Sequence, residues 1–400
     1  MATIPAYIVE ADETTVDRIV QQIVENEHRE DVTDAQLAVA YQQLAFEGMT
    51  PAVIAKRTGM KAATVKTGLA VAENSTAASA IVNHALTLDQ AATLIEFEGD
   101  DDTVAQLIDT ATTDPGQFAH AAQRARDERR VAAIKDAATA DLIARGFTVL
   151  DREPGYYETD AVRISELATK ERARVTAEDI AEVSGRSAFV RVYFTSDEAT
   201  VTYYLSDFKA AGFRKDSGSG STSGPMTDDQ KAERKTLIAN NKAWASAEVV
   251  RREWLAQFLS RKTLPKDAGR VIAEGLTVHR CEVGSAATNG NTLAHTLLGL
   301  ERGGYWDADK LAALVEHSPV KAQHVTLAVV LGGIEDSTSK QTWRYPEPSK
   351  ALYFAQLAAW GYSLSEVEQI VVDAATATDT ATEEQDAEAD SYDGDDLTDE

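Results

Sequence analysis

The chain has 400 residues, a net charge of −26 and a single cysteine, Cys281. That length holds more than one hydrophobic core, and one cysteine excludes an internal disulfide or a cysteine-built zinc site and agrees with a reducing compartment. No window approaches the ~18 uninterrupted apolar residues of a membrane helix, and MATIPAYIVEADE lacks the regions of a signal peptide, so a cytoplasmic protein with no membrane partner is expected.

In chain order, Ile4 to Val9 reads as a strand and Thr14 to Glu27 as a helix that buries Val16, Ile19, Val20 and Ile23. The polar run Glu25 to Asp31, ENEHRED, leads to Thr33, an N-cap whose capping box Gln36 completes. The helix from Asp34 to Phe46 should bury Leu37, Ala40, Tyr41 and Leu44 and stop at Gly48.

Gly48 to Ala72, GMTPAVIAKRTGMKAATVKTGLAVA, carries the most chemical content. Thr50 is a good N-cap, and Pro51 suits the first helical position, where its missing N–H would be unpaired anyway. Ile54 and Ala55 face inward, Gly59 supplies the turn and Met60 fills the angle. A second helix starts near Lys61. Its inward residues are Ala62, Val65, Leu69 and Ala72, which leaves Lys61, Ala63, Thr64, Lys66 and Thr67 outside. With 65 acids in 400 residues, a window of this size should hold about four; it holds none, against Lys56, Arg57, Lys61 and Lys66. A helix-turn-helix that presents a basic face to DNA accounts for that bias, and a plain helical packing unit is the alternative.

Thr76 to His84 and Leu88 to Phe97 read as two further helices, the second opened by a Thr87/Gln90 capping box. Asp100 to Asp102 reads as a loop without the glycine and distal glutamate of a calcium site. Asp114 and Pro115 open a long helix that reaches about Arg145 and ends at Gly146. Its Arg124, Arg126, Arg129 and Arg130 form a solvated face or touch phosphate.

Phe147 to Leu150 is a strand, Asp151 to Asp160 a connection, and Thr176 with Asp179 caps a short helix. Ala188 to Thr195 and Thr200 to Ser206 alternate as a hairpin, whose Tyr193, Tyr203 and Tyr204 suit sheet packing more than base stacking. Asp216 to Pro225, DSGSGSTSGP, is a flexible linker by composition. From Met226 to about Ala374 the pattern is helical. Trp244, Val250, Trp254, Phe258 and Leu259 mark one apolar stripe, and later segments at 291–300, 307–317, 320–332, 349–360 and 363–373 are separated by Gly/Pro turns. All five tryptophans lie here. Lys231, Arg234, Lys235, Lys242, Arg251, Arg252, Arg261 and Lys262 form a solvated surface or a contact with DNA or a partner. Asp373 to Glu400 carries twelve acids and no base, which suits a disordered, solvating tail, with a mimic of DNA charge as the alternative. No phosphate-binding, dinucleotide or nucleophile motif occurs, so no catalytic residue, metal ligand or enzymatic activity is expected.

The order ENEHRED, a capped helix with AYQQL, GMTPAVIAKRTGMKAATVKTGL and LTLDQAATLIEF resembles the central region of ParB-type chromosome and plasmid partition proteins, over roughly Ile4 to Glu98. From Pro115 onward the chain is similar to variant ParB-like proteins of actinobacterial mobile elements and phages, and beyond about Asp151 it has no match to the ParB dimerisation domain. The resemblance implies a homodimer that binds double-stranded plasmid, phage or chromosomal DNA, nucleoid or plasmid association, and a ParA-like ATPase partner. The DNA contacts would fall at Thr50, Lys56, Arg57, Lys61, Ala63, Thr64, Lys66 and Thr67. In that family an ENxxR motif helps hold the phosphates of CTP, which here implicates Glu25, Asn26 and Arg29. An ordinary i,i+4 pair between Glu25 and Arg29 accounts for the same residues. His28 and Glu27 depart from the usual motif and the preceding GxRR segment is absent, so no CTP cofactor and no hydrolysis are expected of this chain. A CTP-gated clamp completed by an upstream half is the rival reading, and a non-DNA adaptor a third.

The expected fold is therefore mainly α. It comprises a nucleotide-domain remnant at 1–32, a helix-turn-helix domain with its long helix at 33–146 and a small α+β segment at 147–215. A linker at 216–225, a C-terminal helical domain at 226–374 and an acidic tail at 375–400 complete it.

Overall fold

Side-chain caps set where the helices of the N-terminal region begin. The computed structural model describes residues 14–27, 33–155, 161–171, 173–215, 227–303 and 309–376. The expected strand at Ile4 to Val9, the motif residues His28 to Asp31, the linker from Asp216 to Pro225 and the tail at 377–400 lie outside the described residues. The chain is mainly helical with a small sheet, and it divides into two compact units, Met1–Ala122 and Gln123–Glu400. The expected boundaries at 146 and 226 fall inside the second unit.

In the first unit, α1 (Thr15–Glu27) opens where the Thr14 hydroxyl accepts from the Asp17 N–H at 3.2 Å. α2 (Asp34–Phe46) opens on the expected Thr33/Gln36 capping box, and Gly48 follows its end at φ 85°. α3 (Pro51–Thr58) and α4 (Ala62–Glu73) come next. α5 (Ser75–His84) is capped by Asn74, and α6 (Leu88–Ile95) by the Thr87/Gln90 box. α2 holds its neighbours by polar ties as well as packing. Asp34 accepts from the Leu88 N–H of α6 at 2.7 Å, and the Gln42 amide donates to the Ala72 carbonyl of α4 at 3.2 Å.

Three expectations about this unit are corrected. α2 buries Ala38 with Tyr41 and Leu44, while Leu37 and Ala40 are half-buried. α4 buries Val65, Gly68 and Val71; Leu69 and Ala72 are half-buried and Ala62 is exposed. The reason is the Tyr41 ring, which lies so close that a Cβ on Gly68 would sit 2.7 Å from its Cδ2. Glycine therefore sets the distance between α2 and α4, and α4 turns its smallest residue inward. Finally, Asp100 to Asp102 is not a loop. Asp100 caps α7 (Asp101–Thr113), accepting from the Thr103 N–H at 3.1 Å, and acids in a first turn suit the positive end of a helix.

α8 (Phe118–Ala144), entered through a short 3-10 turn, starts in the first unit and runs into the second, where β1 (Thr148–Val149) follows. β4 (Arg186–Val192) and β5 (Ala199–Leu205) form the expected hairpin, with Val190 opposite Val201. β1 joins β4 in parallel and β2 (Val162–Arg163) joins β5 antiparallel, giving the order β1-β4-β5-β2. β3 (Leu167–Ala168) pairs separately with β6 (Arg214–Lys215). Thr176 and Asp179 make the expected cap bonds, but turns follow in place of a helix. Tyr204 is buried, Tyr203 is half-buried against the core of Phe147, Val162, Ala188 and Leu205, and Tyr193 is exposed.

α9 (Asp228–Leu259) begins on a Thr227/Gln230 capping box and runs for 32 residues. Its second half buries Trp244, Val250, Leu255, Phe258 and Leu259 in a core shared with α10 (Ala268–Thr277), α11 (Arg280–Thr288), α12 (Thr292–Leu297), α13 (Lys310–His317), α14 (Ala322–Asp336) and α15 (Pro348–Ala359). A further helix spans 366–376. From Leu327 to Glu335 α14 is buried or half-buried at every position, as its near-continuous apolar sequence requires. It continues through Gly332 and Gly333, where a turn was expected. A Cβ at Gly333 would lie 2.9 Å from the Val283 Cα and one at Gly332 3.0 Å from the Ala294 nitrogen, so these glycines admit the backbones of α11 and α12. Among the described residues no helix is long and apolar enough to cross a membrane.

Candidate nucleic-acid interface

The helix-turn-helix is built as its sequence requires. The Thr50 side chain accepts from the Val53 N–H at 3.4 Å, Pro51 starts α3, and Gly59 ends it at φ 77°, a left-handed conformation costly to any residue with a Cβ. Ile54, Ala55 and Thr58 are buried, and the Thr58 hydroxyl donates to the Ile54 carbonyl at 2.8 Å, so it adds no unpaired polar group to the core. Met60 packs against the cluster of Ile19, Ile23, Tyr41, Leu44, Ile54 and Val65. Lys61 is the N-cap of α4 and makes no side-chain cap bond, which leaves the first-turn N–H groups open to an external oxygen.

Of the expected contact residues, Lys56, Arg57, Lys61, Ala63 and Lys66 are exposed, whereas Thr64 and Thr67 are half-buried at the edge of the face and Thr50 is committed to its cap. Residues 1–122 contain six lysines and arginines, and four of them are in this motif. Among the described residues, Lys56, Lys61 and Lys66 have no ion-pair partner. Arg57 does. Its guanidinium lies 2.5 Å from the Asp17 carboxylate of α1, both side chains being about 40% exposed. The Thr14 hydroxyl, joined by Arg57, holds the Asp17 carboxyl below the usual aspartate range, so the pair is ionised near neutral pH. Arg57 is therefore partly neutralised by a carboxylate that lies outside the basic motif. Sequence reasoning missed Asp17 because forty positions separate it from Arg57 and no local pattern joins them.

Several basic residues elsewhere have partners within the chain, although Lys231, Lys242 and Arg261 stay exposed. Arg130 of α8 donates to the Ser196 carbonyl at 2.8 Å and to Asp197 at 3.0 Å, pinning the hairpin turn. Lys231 pairs with Asp228 at 2.8 Å, Arg252 with Glu248 at 2.6 Å, and Lys242 and Arg261 lie over the rings of Phe194 and Phe258. Arg251 is fully buried, which overturns its reading as a surface cation. Its guanidinium pairs with Glu335 at 2.6 Å and with Glu368, between the rings of Trp244 and Phe354. Burial opposes its charge, but the carboxylates of Glu335 and Glu368 prevail and raise its pKa well above the ordinary value.

The nucleotide motif is only partly described. Glu25 is exposed on α1 and accepts from the Gln21 amide at 3.1 Å; Asn26 lies on the same helix, and Arg29 is outside the described residues. No family model, curated protein or solved structure matches this chain.

Proposed function

We propose that the chain is a sequence-specific DNA-binding protein of the ParB-like partition class, acting on plasmid, phage or chromosomal DNA in the cytoplasm. The observation that carries this reading is the exposed set of Lys56, Lys61 and Lys66 on an acid-free helix-turn-helix, in a unit whose sequence is otherwise acidic. A cationic patch kept clear of carboxylates is an electrostatic footprint for phosphate. In the proposed complex Lys61, Ala63, Thr64, Lys66 and Thr67 meet base edges in the major groove, while Lys56 and the open N-terminus of α4 hold the backbone. One such unit reads few base pairs, so useful affinity calls for two copies on an inverted repeat, with a ParA-like ATPase as the partner that the partition reading implies. Selection of bound fragments from a random duplex pool with the full chain tests this. Enrichment of an inverted repeat supports it, and failure to retain any duplex at about 50 mM salt, where phosphate contacts are strong, overturns it.

A further inference from the structure

The C-terminal helices enclose a cavity of about 310 Å³ that the DNA reading does not use. Its walls are mainly apolar, formed by the buried Val271, Leu331 and Ile334 and the exposed Leu352 and Ala355. The polar groups at its rim satisfy one another: Arg270 pairs with Glu274 at 2.5 Å and donates to the Gln356 side chain at 2.5 Å. His279 is different. It lines the cavity, is only 5% exposed, and its Nδ1 is fully shielded with no hydrogen-bond partner. A buried imidazole without a partner on Nδ1 carries a desolvation cost, and a bound molecule relieves it when the ring turns about χ2 to bring that nitrogen to the cavity. Val278 and Leu352, both lining the cavity, are 57% and 63% exposed, an apolar collar around the mouth. Sites of this size, with apolar walls and one convergent polar group, suit small organic ligands, whose pockets begin at about 300 Å³.

We propose that this cavity binds a small, uncharged, mainly apolar ring compound whose single hydroxyl hydrogen-bonds the His279 imidazole. Charge is disfavoured because the neighbouring ionic groups are already paired and burial holds His279 neutral by lowering its pKa. A hydroxyl suits either imidazole tautomer, since it both donates and accepts. The inference is independent of DNA binding.

Calorimetric titration of the full chain with 4-ethylphenol, and with ethylbenzene as the probe lacking a hydroxyl, tests the site. 4-Ethylphenol is expected to bind and ethylbenzene to bind about tenfold more weakly, the scale of one hydrogen bond. His279→Phe should remove that preference while leaving ethylbenzene binding intact. Ala355→Trp, at an exposed position on α15 that leaves the core untouched, should block both probes. No binding of 4-ethylphenol at millimolar concentration, or binding that neither substitution alters, would overturn the proposal.

Discussion

The Arg57 guanidinium lies 2.5 Å from the Asp17 carboxylate, so the one arginine of the basic turn is shared between α3 and α1. An exposed pair of this kind adds little to stability; its effect on an approaching polyanion is larger, since it removes one cation from the face. Asp17→Asn should release Arg57, strengthen binding to random duplex a few-fold at low salt, and steepen the dependence of log Kobs on log salt by about 0.9, one more phosphate contact. Anisotropy titrations at several salt concentrations measure this, and an unchanged slope would place Arg57 off the DNA path.

Arg251 gives a test of the opposite kind. Arg251→Leu strands the buried Glu368 carboxylate without a cation and leaves Glu335 only its longer contact with Arg252 at 3.4 Å, and should cost about 3–5 kcal/mol in denaturant unfolding. Lys262→Ala, at an exposed position, should stay within about 0.5 kcal/mol. A small loss at Arg251 would mean that the network is not the charged cluster described.

Two glycines separate packing from helix propensity. Gly284→Ala in α11 meets nothing within 4 Å and should stabilise by about 0.5–1 kcal/mol. Gly68→Ala gains the same propensity but drives a Cβ into the fully buried Tyr41 ring, and overpacking costs about 1–3 kcal/mol, so the net effect should be destabilising. Thermal unfolding of both variants decides it; stabilisation by both would show that the contact between α2 and α4 yields easily.

These sites also mark what was legible in the sequence. The caps at Thr33, Thr50 and Thr87, the turn at Gly59 and the hairpin of β4 and β5 rest on local rules and were read at nearly their observed positions. Tertiary partners were not legible. Gly68 faces inward because of a ring on another helix, and the apolar period alone favoured Leu69. Arg251 looked like one cation in a basic stretch because its carboxylates lie 84 and 117 positions away. Asp100 looked like part of an acidic loop because clustered acids resemble a solvated turn until the helix they cap is seen.

His279 predicts a pH effect. Burial lowers its pKa, Glu282 and Glu274 act in the opposite direction, and Lys350 reinforces the lowering. The folded state therefore binds the proton less readily than the unfolded chain, whose histidine titrates near 6.5, so stability is fully present above about pH 6.5 and falls as pH drops below it. His279→Phe should flatten the fall in Tm between about pH 7 and 5. An identical pH profile in parent and variant would contradict this.

The acidic C-terminus adds a further expectation. Deleting 377–400 removes eleven carboxylates and no base. It should strengthen binding to random duplex at low salt more than binding to the selected site, with the difference shrinking as salt screens the repulsion. Equal affinities for full-length and truncated chains would leave the segment a solubilising extension.

The central claim is tested most directly by comparing Lys56→Ala with Lys61→Ala, Thr64→Ala and Lys66→Ala on the selected site and on random duplex across a salt series. Substitutions at Lys61, Thr64 and Lys66 should each weaken binding to the selected site by about 1–3 kcal/mol where they remove a base contact, and affect random duplex less. Lys56→Ala should weaken both alike and lower the salt slope by about one. If all four variants bind both duplexes as the parent does, the exposed turn between α3 and α4 is not the surface that meets DNA.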